Sequence, residues 1–272
     1  MVTLDSSSAW QSARRMVAAN RDMLIAIAGV FFVLPGLIGA VILPTPALTS
    51  GMNQTEMADA IMHFYTSAGP ILLVLTLPML VGYLTLLVML LDSDRPTVGA
   101  AITVGIRFLP SYLAAQLLTS LVLSLLWVTV LSVLVLLLPQ VVAVIVSVVV
   151  MIYPLVSVIL VGPEMIAQRL RNPIRAILAG LSRTHGHVVR ILLYVGPALA
   201  LFLVVYLLVM IAVAVLVGNL PQPEARRMIS EAIGAVLFAA GYTYYAAIIA
   251  STYDQLGPVH GPDQAISPSS PN

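Results

Sequence analysis

Five stretches of this 272-residue chain, 23–55, 60–91, 108–163, 191–223 and 232–253, contain no Asp, Glu, Lys or Arg. All 12 basic and 11 acidic residues fall outside them. Only 8% of the chain is charged against 60% hydrophobic, about a third of the charged share of a soluble domain. A soluble fold is excluded, and the chain reads as an all-α polytopic membrane protein.

A helix rises about 1.5 Å per residue, so roughly 20 apolar residues cross a hydrocarbon core of about 30 Å. The charge-free stretches then divide into six spans, near 23–43, 69–91, 109–138, 139–161, 188–217 and 229–252. Stretch 108–163 would run about 84 Å as one helix, too long for one crossing, and Pro139-Gln140 supplies the break near its middle. The run Val141 to Val150 is rich in β-branched residues. An open strand would leave its backbone unsatisfied in a bilayer, so helix is expected there too. Residues 1–22 form an amphipathic segment ahead of span one, too long and too polar to begin a signal peptide. The tail 257–272, with four Pro, three Ser and two Gly, is expected to be disordered.

The chain has no Lys, so Arg alone reports orientation. Arg14, Arg15, Arg21, Arg95, Arg107, Arg169, Arg171, Arg175, Arg183 and Arg190 share one side of a six-span arrangement, and only Arg226 and Arg227 lie on the other. The positive-inside rule places both termini in the cytoplasm. The lysine-free, Ala/Val/Leu-rich composition points to a GC-rich bacterial genome, hence to a bacterial cytoplasmic (inner) membrane. With no Cys, disulfides, thiolate metal sites and Cys nucleophiles are excluded.

Three segments on the arginine-rich side carry helical periodicity. Trp10, Ala13, Val17 and Leu24 fall close to one face opposite Arg14 and Arg15. Val98, Ile102 and Ile106 recur at four-residue spacing. Ile174, Ile177, Leu178 and Leu181 form a stripe opened by Asn172 as N-cap and Pro173 at the first helical position. The second and third are expected to lie flat on the inner face. A shift of 76 residues superimposes Arg95 on Arg171, Ile102 on Leu178 and Arg107 on Arg183, ahead of successive hairpins, which reads as a parallel internal repeat.

Asp94-Arg95-Pro96-Thr97-Val98-Gly99-Ala100-Ala101, Gly162-Pro163-Glu164, and Asn172-Pro173-Ile174-Arg175-Ala176-Ile177 followed by Ser182-Arg183-Thr184-His185-Gly186 carry a resemblance. In these runs and in layout, the chain resembles a bacterial membrane superfamily. It contains the membrane domain of some glycerophosphodiester phosphodiesterases and the YciC-like inner-membrane proteins. Ala100 departs from the Glu that such sequences often carry there, which weakens a capping box from Thr97. The resemblance implies a fold and a membrane address. It supplies no catalytic residues, because nothing outside the spans is long enough for the phosphodiesterase domain.

Glu164, at the inner end of span four, is the candidate functional carboxylate, as a proton or cation acceptor at a cavity mouth. The competing and favoured reading pairs it with Arg169 or Arg190. His185 and His187 lack a third metal ligand at a supporting spacing, and Ser182 with His185 lacks an orienting group, so loop residues are expected. Neutral polar residues within spans, with Gln116 and Tyr153 foremost, are candidates to line a cavity. Against this, Ala235, Ala239, Thr243, Ala247 and Ser251 make a small-residue packing face. Arg169, Arg171, Arg175, Arg183 and Arg190 are the candidate contacts for anionic lipid headgroups. The expected partners are membrane lipids and a membrane-protein partner or second copy, with no cofactor, metal or nucleic acid. A non-enzymatic scaffold, regulator or subunit in envelope or lipid homeostasis is the first expectation, and a small transporter or amphiphile-handling protein is the alternative.

Overall fold

The computed structural model describes residues 6–44, 51–92 and 96–257. Arg95, an anchor of the expected repeat, and the expected disordered tail beyond Gly257 lie outside them. The described chain is all-α: α1 (Ser6–Ala19), α2 (Arg21–Ala28), a π-helical turn (Gly29–Val33), α3 (Leu34–Ile42), α4 (Gln54–Leu91), α5 (Val98–Leu137), α6 (Gln140–Ser157), α7 (Val161–Ala167), α8 (Pro173–Thr184), α9 (Val188–Val217) and α10 (Pro223–Gln255). Six helices, with α2–α3 and α6–α7 each read as one, are long and apolar enough to cross a membrane.

Span one widens where its proline requires it. Pro35 cannot donate to the carbonyl one turn back, and its ring crowds that carbonyl; the backbone expands into the π turn, with Leu34 N–H reaching Gly29 O. The widened turn lies against α4 at Gly82, where an added Cβ would come within 2.4 Å of Phe31 Cβ. Only a residue without a side chain allows that crossing.

Span two begins at Gln54 rather than near residue 69, under a capping box: Asn53 accepts from Glu56 N–H, and Glu56 accepts from Asn53 N–H, both at 2.9 Å. The flat helix expected at Val98 is absent as a separate element. Thr97 caps a single helix that continues through Arg107 and Pro110 to Leu137. Proline inside a membrane helix is tolerated when local adjustments re-satisfy the freed backbone groups, so Pro110 gives no break.

The third amphipathic segment forms as expected. Asn172 Oδ1 accepts from the backbone N–H groups of Ile174 and Arg175 at 3.0 and 3.2 Å, and Pro173 opens α8. The buried face is nevertheless Ala176, Gly180, Arg183 and Thr184, while Ile174 and Leu178 point outward. Gly180 lies on the start of α7, where a Cβ would sit 3.1 Å from Val161 N and Cα. Gly180→Ala is therefore expected to force α7 and α8 apart, destabilising the protein by about 1–3 kcal/mol. The check is a lowered midpoint in thermal unfolding of the detergent-solubilised protein.

The core sits at the arginine-rich end. Leu84 and Leu86 to Leu90 of α4, Phe108, Tyr112 and Ala115 of α5, Ile191, Tyr194 and Val195 of α9, and Ala246 to Ala250 with Tyr253 of α10 contribute to it. Helix α10 is central, touching α1, α2, α3, α4, α7 and α9. Ala239, Thr243, Ala247 and Ser251 are all buried, so the small-residue stripe serves close packing. On the opposite side, Arg227 donates to the Ala40 and Leu43 carbonyls at 2.8 and 3.2 Å, closing the C-terminus of α3.

Candidate functional site

Two charged arrangements flank α7. The first is internal. Val158 to Leu160 turn the chain out of α6, and the Thr184 hydroxyl donates to the buried Ser157 carbonyl at 2.7 Å, fixing α8 against that turn. This brings Arg183 of α8 onto Glu164 of α7, with Nε 2.6 Å from Oε2 and a terminal guanidinium nitrogen donating to Oε1 at 3.4 Å. Gln168 also donates to Glu164, and Arg183 donates to the Gly257 carbonyl while its guanidinium lies 4.1 Å from the centre of the Tyr253 ring. Glu164 is 1% exposed and Arg183 5%. The partner of Glu164 is thus Arg183, not Arg169 or Arg190; Arg169 instead faces residues of α4 and α5. Arg183 faces inward and is closed to a headgroup.

The second arrangement is open. A cleft of about 350 Å³ is lined by Val88, Leu91 and Asp92 from the end of α4, by Arg107 and Phe108 of α5, and by Arg169 and Arg171 after α7. Three guanidinium-bearing residues face it against one carboxylate, and all three arginines are exposed. Helix α7 ends in a Schellman motif: Leu170 N–H bonds to Met165 O at 2.9 Å and Arg169 N–H to Ile166 O at 3.2 Å. The residue after the cap in this motif is left-handed and is usually glycine. Here it is Arg169, with φ of 53°, the one non-glycine among the described residues with positive φ. A left-handed L-residue costs about 1–2 kcal/mol. An arginine held there marks a position where the side chain is placed at the expense of the backbone.

The remaining candidates are dispersed. Arg175 and Arg190 are exposed on the same side but do not line this cleft. Gln116 is exposed and donates to the Tyr112 hydroxyl at 2.6 Å, and Tyr153 is 56% exposed on the outside of α6, so neither faces an enclosed space. His185 and His187 sit in the tight turn between α8 and α9, around Gly186 with φ of 79°. No group of three or more His, Cys, Asp or Glu side chains converges among the described residues. Arg107 gave no sign of its role in sequence beyond topology; its place in the cleft arises only when α5 folds beside α7.

Fold and site together define a polytopic helical membrane protein with a basic cleft at one end of its bundle. Comparison with protein-family models, curated proteins and solved structures found no match.

Proposed function

We propose that the protein is a non-enzymatic membrane protein that holds anionic lipid headgroups at its arginine-rich face, acting as a scaffold or regulatory subunit in lipid homeostasis of a bacterial cytoplasmic membrane. The observation that carries this reading is Arg169, left-handed at the end of α7 and facing one cleft with Arg107 and Arg171. Guanidinium groups in this setting suit phosphate, which they meet with paired donors. Coupled ion transport has less support: Glu164, the buried carboxylate among the described residues, is engaged by Arg183 and Gln168. The proton or cation acceptor reading of Glu164 therefore loses to the structural one.

The test is native mass spectrometry of the full chain with phosphatidylglycerol or phosphatidylcholine of matched acyl chains. The wild type is expected to retain phosphatidylglycerol preferentially, and the triple variant R107Q/R169Q/R171Q to lose the lipid held at the cleft, one fewer per protein. Equal retention by both proteins overturns the reading, as does unaided movement of a solute or lipid by the purified protein across a liposome bilayer.

A further inference from the structure

Away from the cleft, two apolar grooves run along α10 on either side of Tyr244. One, of about 650 Å³, lies against α1 and span one, with Arg14, Arg21, Leu24, Val33 and Val236 among its walls. The other, of about 420 Å³, lies against α9, with Trp10, Phe202, Val205 and Ile248 among its walls. Arg14, Ala240 and Tyr244 line both. Tyr244 is 47% exposed and Ala240 is exposed, so the two grooves are divided by a ridge and joined at an arginine.

Depth and charge identify an occupant. The first groove extends along span one from Arg21 to Val33, about 18 Å of helix, and the second along α10 from Ile248 to Leu237, about 17 Å. Both lengths correspond to roughly one leaflet of a hydrocarbon core about 30 Å thick. The basic groups that line the grooves come only from α1 and the first residue of α2. A partner helix, about 10 Å across, would meet the Tyr244 ridge. A forked ligand with an anionic head and two apolar tails fits both grooves at once.

We infer that a two-chain anionic phospholipid binds astride Tyr244, its phosphate at Arg14 and Arg21 and one acyl chain in each groove. This site shares no residue with the Arg107–Arg169–Arg171 cleft and stands or falls independently of it.

The experiment uses the full chain in the R107Q/R169Q/R171Q background, so that retained lipid reports on the grooves alone. Dioleoyl phosphatidylglycerol, its single-chain lyso form and dioleoyl phosphatidylcholine are the probes, read by native mass spectrometry. One phosphatidylglycerol per protein is expected, with the lyso form retained more weakly. R14Q/R21Q is expected to lower the preference over phosphatidylcholine by about thirtyfold, and R14K/R21K to restore most of it. A240F, at an outward-facing position bordering both grooves, is expected to fold normally and lose both two-chain lipids. Unchanged retention in A240F and R14Q/R21Q overturns the inference. A wild-type dimer mass that A240F converts to monomer also overturns it, since a second copy would then fill the grooves.

Discussion

Arg183→Met is expected to destabilise the protein by about 3–5 kcal/mol, and Glu164→Leu by a similar amount, whereas the double variant recovers most of the loss. Each single change strands a charge that is almost fully buried, with no solvent to screen it. Glu164→Gln belongs with the damaging set, because a neutral amide still leaves the guanidinium without its counter-charge. Arg183 also holds the Gly257 carbonyl and lies over Tyr253, so its loss loosens the C-terminal end of α10 from α8. The measurement is thermal unfolding in detergent of the wild type, both single variants and the double, taken as a double-mutant cycle. Additive losses would show that the two residues do not act as a pair. A Glu164 variant that unfolds like the wild type and changes only a pH-dependent activity would return that carboxylate to a proton-carrying role.

The features legible in the sequence are those written in local chemistry. Charge-free stretches give the six crossings, and α9 occupies 188–217, the bounds its flanking residues suggested. Asn172 and Pro173 announce the start of α8 because capping needs only neighbours in sequence. What stayed hidden depends on which surfaces meet. The periodicity of Val98, Ile102 and Ile106 is the same whether a helix lies flat or runs on into a span, and only the unbroken path through Pro110 decides between them. Glu164 has Arg169 nearer in sequence than Arg183. The preference for the farther partner is set by a left-handed residue that no glycine announces. Tyr153 and Gln116 looked like cavity residues because polarity was the available signal; their exposure follows from rotation of α6 and of the outer part of α5, where Leu121, Leu125 and Leu136 are exposed as well.

Neutralising the cleft is expected to have the second large effect. At about 1 kcal/mol for each arginine near an anionic surface, R107Q/R169Q/R171Q should lower the cleft's preference for phosphatidylglycerol by about 150-fold, with little change in stability because the three side chains are exposed. Arg169→Gly separates backbone from side chain. Glycine relieves the left-handed strain at φ of 53° but adds freedom to the unfolded chain, so stability should hold or rise by up to about 1 kcal/mol. Over the same substitution, retention of the anionic lipid should fall about fivefold. A merely structural Arg169 would move stability and leave headgroup preference alone. Salt supplies the remaining discrimination: raising ionic strength from about 0.15 M to about 1 M shortens the screening length from about 8 Å to about 3 Å. The difference in preference between the wild type and the triple variant should then collapse. A preference that survives high salt would have to come from uncharged headgroup contacts, and the cleft arginines would no longer be its source.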